Sequence, residues 1–110
     1  MNWAEISWFT PAEFQCGCGC GKNNAKPQLV RLLDYARKQI QAPIIITSGC
    51  RCEKHNEAIG GAPRSKHRIG LAADVATKQY LMNGLEKVLN RKGTWIKRYP
   101  SHIHVHLDES

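Results

Sequence analysis

Histidine alternates with other residues near the end of the chain, at His102, His104 and His106. The apolar residues of segment 103–107 occupy the intervening positions, a pattern typical of a half-buried β-strand. Because successive side chains of a strand point to opposite faces, the three imidazoles share one face. Such a face is unfavourable unless water reaches the imidazoles or something binds them. The chain is therefore expected to form a sheet with one polar face, either a solvated edge or a metal site.

The remaining patterns alternate between helix and strand. Apolar residues at helical spacing predict an amphipathic helix over 27–40 and a second helical face over 78–92, and a short helix is predicted at 53–59. The predicted strands are 44–47, 72–76, 94–98 and 103–107. This order indicates an α+β fold with a small antiparallel sheet packed on helices.

Length and charge limit the classes of protein that the chain can be. Its 110 residues predict a single domain over 1–110, and 42% hydrophobic with 23% charged residues is ordinary for a globular protein. The longest apolar run, 42–46, is far below the roughly 20 residues of a membrane span. The first residues lack the pattern of a secretory signal, so we expect cytoplasmic synthesis. A net charge of +7 favours an anionic partner such as a nucleic acid, an acidic lipid or a bacterial wall polymer.

The cysteines are odd in number and cannot all pair within one chain. Three alternate with glycine at Cys16, Cys18 and Cys20, and Cys50 and Cys52 flank an arginine. We expect all five to be structural, with the N-terminal run packed near the 50–52 turn. A second, closed zinc site with thiolate ligands stays open as an alternative. A nucleic-acid-binding zinc protein is disfavoured, because the run lacks the paired Cys-x-x-Cys spacing of zinc fingers.

A second set of candidate metal ligands lies in the middle of the chain. His67 precedes Asp74 by seven residues, with Gly70 between them, a spacing that suits one ligand on a loop and one on a strand. Two histidines and an aspartate can supply the three protein ligands of a catalytic zinc. The spacing alone does not decide between zinc and ordinary structural roles.

The wider motif carries a family resemblance. Its fixed positions spell Ser-x-His-x-x-Gly-x-Ala-x-Asp from Ser65 to Asp74, and Ser-Gly-x-Arg stands upstream at 48–51. Tyr-Pro-Ser-His-Ile-His follows at 99–104. Together these residues resemble the zinc peptidases of the D-alanyl-D-alanine carboxypeptidase and Hedgehog group. The resemblance covers nearly the whole chain and is closest to small peptidases of phages and prophages.

The resemblance implies a Hedgehog/DD-peptidase fold and a zinc ion bound by His67, Asp74 and a C-terminal histidine, with water as the fourth ligand. It also implies that Arg51 holds the substrate carbonyl or carboxylate and that Ser65 lies near the substrate backbone. The implied reaction is hydrolysis of a peptide bond that involves a D-amino acid in the peptide stem of peptidoglycan. We expect the protein to act as a lysin that reaches the wall when a phage permeabilises the membrane. We expect a monomer that neither binds nucleic acid nor inserts into membranes. The alternative is a non-catalytic, zinc-bearing wall-binding module.

Two departures from the family pattern concern the C-terminal strand. Relatives place Asp two residues after the last ligand, but here His106 follows His104, and Asp108 comes two residues later. We take His104 as the ligand and His106 as the alternative. The family acid three or six residues upstream is also missing, since those positions hold Ser101 and Arg98.

The missing acid leaves His102, His106 and Asp108 as candidate proton-transfer groups. Asp108 would lie about 13 Å from His104 along an extended strand. Each neighbouring histidine would lie about 6 to 7 Å away. We therefore predict His102 as the group that orients or deprotonates the water, with His106 next.

Overall fold

The computed structural model describes residues 3–108. The helices are α1 (Pro27–Ile40), α2 (Glu53–Ala58) and α3 (Met82–Leu89), and four short 3-10 helices lie at Trp3–Glu5, Pro11–Phe14, Lys66–Ile69 and Gln79–Leu81. The strands are β1 (Ile45–Ser48), β2 (Ala72–Ala76), β3 (Thr94–Arg98) and β4 (Ile103–Leu107). The α+β prediction is confirmed, and the four strands lie within one residue of the predicted positions. The predicted 78–92 helix is shorter, because its first turn is 3-10 and its last residues leave the helix at Leu89.

All four strands form one antiparallel sheet in the order β1-β2-β4-β3. On β4, Ile103 and Val105 are fully buried, whereas His104 and His106 are partly exposed on the other face. The core lies between the buried face and helices α1 and α3, and it contains Leu29, Val30, Leu33, Ala36, Ala73, Val75, Met82, Leu85, Leu89, Ile103 and Val105. Helices α1 and α3 thus cover one face of the sheet and leave the face that bears the histidines open.

The sheet register sets which polar side chains meet on the open face. Asp74 of β2 is directly opposite His104 of β4, and on the other side of β4 Lys97 is opposite His104 and Trp95 is opposite His106. Facing residues on neighbouring antiparallel strands have Cβ atoms about 5 Å apart, so their side chains interact. None of the helices within 3–108 is both long and apolar enough to cross a membrane.

Gly70 connects the 3-10 helix that carries His67 to strand β2. Its φ is +78°, in the left-handed region that favours glycine, and its carbonyl accepts a hydrogen bond from the Lys26 N–H at 2.9 Å. A Cβ added there would overlap the carbonyl oxygen of Asn24. Gly70, the fixed glycine of the Ser65–Asp74 motif, is therefore required both by the turn and by the close approach of the 24–26 segment.

Two glycine-to-alanine changes are expected to alter stability in opposite directions. Gly70→Ala should lower the free energy of unfolding by about 1–3 kcal/mol, because of the positive φ and the clash with Asn24. Gly84→Ala, inside α3 with open space at the added Cβ, should raise it by about 1 kcal/mol. Urea unfolding followed by circular dichroism measures both changes. Equal effects of the two substitutions would contradict this account of the turn.

Candidate metal centre

Three potential metal ligands converge on the open face of the sheet. His67 comes from the 3-10 helix before β2, Asp74 from β2 and His104 from β4, and their ligand atoms all lie within 4.8 Å of one another. The Oδ1 atom of Asp74 is 2.9 Å from His104 Nδ1 and 3.4 Å from His67 Nε2. The structure thus brings the two histidines and the aspartate singled out in the sequence to one point.

The His67 ring is held with one nitrogen free to bind a cation. Its side chain is only 2% exposed, and Nδ1 lies 2.8 Å from the Gly49 carbonyl oxygen, to which it donates. Nε2 then carries the lone pair, and within the described residues this buried atom has no hydrogen-bond partner. A buried lone pair beside a carboxylate is the environment that a bound cation satisfies, so these residues fit a zinc ion.

His104 is oriented in the same way by His106. The Nε2 atom of His104 lies 2.9 Å from His106 Nδ1, and its Nδ1 donates to Asp74 Oδ1 at 2.9 Å. A metal bound at Nδ1 would replace that proton, and the Nε2–H of His104 would then donate to His106. Metal-binding histidines commonly donate their second ring N–H to such an acceptor. Burial lowers the pKa of His106, and the neighbouring His104 lowers it further, which favours the neutral imidazole that can accept. His104 therefore belongs to the cluster, and His106 lies one contact further out.

Asp74 is a carboxylate in this environment. Burial by itself would raise its pKa, but the imidazoles of His104 and His67 beside it outweigh that effect and hold the pKa well below its usual range. The side chain is 15% exposed, so the site stays open to solvent. A charged carboxylate between two imidazoles supplies the anionic ligand of a His-Asp-His zinc site.

Arg51 places a fixed positive charge at the edge of the cluster. Its Nη2 lies 3.5 Å from Asp74 Oδ2, its Nη1 donates to Asn56 Oδ1 at 3.2 Å, and its Nε donates to Ser48 Oγ at 3.2 Å. Asn56 is buried, and its Nδ2 donates to the Ala62 carbonyl at 2.8 Å, so its oxygen is held toward the guanidinium. The guanidinium is thereby positioned before any substrate arrives.

Ser65 has a structural role in the described contacts. Its hydroxyl accepts the His67 backbone N–H at 3.2 Å at the start of the 3-10 helix. It therefore helps to place His67, and its sequence-based role near a substrate backbone stays a prediction.

The other candidates on the C-terminal strand lie apart from the cluster. The His102 ring stacks on Tyr99, with centroids 4.5 Å apart, and its Nδ1 lies 3.0 Å from Ser101 Oγ. Asp108 follows β4 and is exposed, and its N–H donates to the Gly93 carbonyl. The contacts thus favour His106 over His102 as the group next to His104, since His102 belongs to the hairpin turn and precedes β4.

Two features of the centre were missed in the sequence. Trp95 stacks on His106 with centroids 4.8 Å apart and meets the edge of His104 at 5.7 Å. Alternation along β3 places Trp95 on the histidine face, but only the register of the hairpin shows that it is opposite His106. The Gly49 carbonyl that accepts from His67 could not be identified from the sequence, because every residue has a backbone carbonyl.

Comparison with known proteins agrees with this centre. The profile of the family described as Peptidase M15 matches residues 7–108. The chain belongs to the peptidase M15 family. The M15 family consists of zinc-dependent metallopeptidases. In this M15 protein, His67, Asp74 and His104 are the candidate zinc ligands. No curated protein matches the chain.

The role of His106 predicts how metal affinity responds to substitution in this M15 protein. His106→Ala should weaken zinc binding at the His67–Asp74–His104 centre by about 10–100-fold, because His104 loses the acceptor that orients it. His106→Asp should retain most of the affinity, since a carboxylate can accept the same N–H. His102→Ala is the matched control and should bind as the unmodified protein does. Competition titration with a chromophoric chelator measures each affinity, and equal losses for His102→Ala and His106→Ala would contradict the assignment.

Proposed function

We propose that this M15 domain hydrolyses a peptide bond in the peptide stem of bacterial peptidoglycan, at a bond involving a D-amino acid. The observation that carries the proposal is the buried, unpartnered His67 Nε2 facing Asp74 and His104 on the open face of the sheet. Family membership supplies the class of chemistry, a zinc-dependent peptidase. The net charge of +7 supports an anionic polymer such as the bacterial wall as the surface on which it acts after release.

The ligand set suits a catalytic ion better than a purely structural one. A bound zinc ion would polarise the scissile carbonyl and lower the pKa of a water molecule. Two neutral imidazoles and the single carboxylate of Asp74 leave a net positive charge at such a site, which Lewis-acid chemistry requires. Three protein ligands also leave a fourth position for water or substrate.

Arg51 is suited to hold the substrate. A guanidinium has five N–H donors, and the contacts with Ser48, Asn56 and Asp74 use three of them. One N–H on each terminal nitrogen is left for the planar, two-point recognition of a carboxylate, or for the oxygen of a carbonyl. This geometry supports binding of a stem peptide either at its terminal carboxylate or at the carbonyl of a peptide bond in a cross-link.

A cleft next to the Arg51 network offers room for a neighbouring part of the peptide. It has a volume of about 270 Å³ and shares Asn56 with that network. Its other lining residues are Glu53, Glu57, Gly61, Pro63 and Arg68. The two glutamates would match the cationic side chain of a diamino acid in the stem.

A second candidate function is a zinc-bearing wall-binding module without turnover. The observation that favours it is the missing upstream acid: Ser101 contacts His102, and Arg98 pairs with Glu86 at 3.3 Å and with Asn83 at 2.9 Å. Among the contacts described for the three candidate ligands, Asp74 is the only carboxylate. Binding without hydrolysis would place the protein in this second class.

Digestion of purified peptidoglycan separates the two candidates. The zinc-loaded protein should release new amino groups or free D-alanine, chelation should abolish the release, and added zinc should restore it. The His67→Ala variant is the matched inactive control. Mass spectrometry of the products identifies the bond: free D-alanine indicates a carboxypeptidase, and opened cross-links indicate an endopeptidase. Sedimentation with the wall but no released termini would establish the binding module instead.

Substitution of Arg51 should lower turnover without removing the metal. Arg51→Ala is expected to reduce kcat/KM by about 10²–10³-fold, the usual cost of losing one preorganised donor to a reacting oxygen. Zinc content should stay unchanged, because the Asp74 oxygen that Arg51 contacts is Oδ2, whereas Oδ1 faces the two histidines. Arg31→Ala is the control, since that side chain is exposed and pairs with Glu5. Full activity of Arg51→Ala would contradict the substrate role.

A further inference from the structure

Four of the five cysteines meet at one point away from the His67–Asp74–His104 centre. The thiol sulfurs of Cys16, Cys18, Cys20 and Cys52 all lie within 4.8 Å of one another. Cys16 Sγ is 3.4 Å from Cys18 Sγ, and Cys18 Sγ is 3.7 Å from Cys52 Sγ, across 34 residues of sequence. The prediction that the N-terminal run packs near the 50–52 turn is confirmed, with Cys50 outside the cluster.

The backbone of the run is shaped to present three sulfurs from one short loop. The Cys16 N–H donates to the Lys22 carbonyl at 2.9 Å and closes the loop, and the Gly19 N–H donates to the Cys16 carbonyl. Gly19 and Gly21 have φ values of +84° and +86°, which other residues rarely adopt. The alternating glycines thus permit the tight winding that turns three cysteines toward Cys52.

Backbone N–H groups point at three of the four sulfurs. The Cys52 N–H lies 3.4 Å from Cys16 Sγ, the His55 N–H 3.3 Å from Cys52 Sγ, and the Lys22 N–H 3.5 Å from Cys20 Sγ. A neutral thiol is a weak acceptor, whereas a thiolate bound to a metal is stabilised by such donors. This observation is independent of the clustering itself and points to anionic sulfurs.

We propose that Cys16, Cys18, Cys20 and Cys52 bind a second zinc ion in a closed, four-thiolate structural site. Structural zinc sites are tetrahedral with Zn–S bonds of about 2.3 Å, so that neighbouring sulfurs in them lie about 3.8 Å apart. The separations of 3.4 and 3.7 Å are close to that edge length. Four protein sulfurs leave no position for substrate, so this ion would stabilise the fold and take no part in hydrolysis.

Disulfide bonds account for the cluster less well. A disulfide requires sulfurs about 2.05 Å apart, and all five cysteines are free thiols in this structure. A disulfide also joins sulfurs in pairs, whereas here Cys18 approaches both Cys16 and Cys52. The common meeting point of four sulfurs is the arrangement expected for a tetrahedral ion.

The site would fasten the N-terminal loop to the segment that carries Arg51. Cys52 directly follows Arg51, and the Cys50 N–H donates to the Phe14 carbonyl at 2.9 Å, so both sides of the arginine are tied to the 14–22 region. Metal binding at four side chains contributes directly to folding free energy. The inference itself does not depend on the proposed peptidase activity.

Metal counting separates the two sites. The protein is expressed with added zinc, purified without chelator under a thiol-free reductant, and measured by native mass spectrometry and elemental analysis. The unmodified chain should hold two zinc ions, and the His67→Ala and Cys18→Ser variants should each hold one. The variant that combines these two substitutions should hold none. Cys50→Ser is the matched control and should keep two, because Cys50 is buried and its thiol contacts Asn23. One zinc in the unmodified chain together with an unchanged count in Cys18→Ser would overturn the proposal.

Cobalt spectroscopy identifies the ligands even if a cysteine variant folds poorly. Reduced, metal-free His67→Ala is titrated with Co²⁺, which should produce intense thiolate-to-cobalt charge-transfer bands that saturate at one equivalent. Absence of those bands would overturn the proposal. If the protein binds both metal ions but releases no termini from peptidoglycan, the proposed peptidase function fails and this inference is supported.

Discussion

The pairing of Asp74 with His104 across strands β2 and β4 is the constraint on which the rest of the site depends. Antiparallel register places the two residues directly opposite each other, and Oδ1 lies 2.9 Å from Nδ1. A shift of β4 by one residue would turn His104 into the core and bring Ile103 and Val105 out to solvent. The apolar face of the sheet therefore fixes the polar face, and hydrophobic burial secures the metal geometry.

The surrounding contacts complete the site by assigning a proton to each ring. Gly49 accepts from His67, which leaves the Nε2 lone pair of His67 toward Asp74, whereas His104 donates from Nδ1 to Asp74 and has its Nε2 against His106 Nδ1. Arg51 is held beside them by Ser48 and Asn56 with donors still unused. The centre is thus organised before a metal or substrate binds, which reduces the reorganisation that binding and reaction require.

Much of the fold and the main ligands could be predicted from the sequence, because they depend on local patterns. Strand alternation and helical spacing gave the elements, and the Ser-x-His-x-x-Gly-x-Ala-x-Asp motif singled out His67 and Asp74. The choice between His104 and His106 depends on strand register, which local patterns do not contain. The expected place of His102 assumed that the strand continues, whereas the chain turns at 99–102 and stacks that ring on Tyr99. The approach of Cys52 to the N-terminal loop is a tertiary contact that spacing alone could not reveal.

Anomalous diffraction at the zinc absorption edge tests the central claim most directly, on crystals of the zinc-loaded protein. The account predicts an anomalous peak about 2.0–2.2 Å from His67 Nε2, an Asp74 carboxylate oxygen and His104 Nδ1, with His106 Nδ1 bonded to His104 and outside the ligand set. A peak bonded to His106 in place of His104, or no peak beside Asp74 in zinc-loaded crystals, would contradict it.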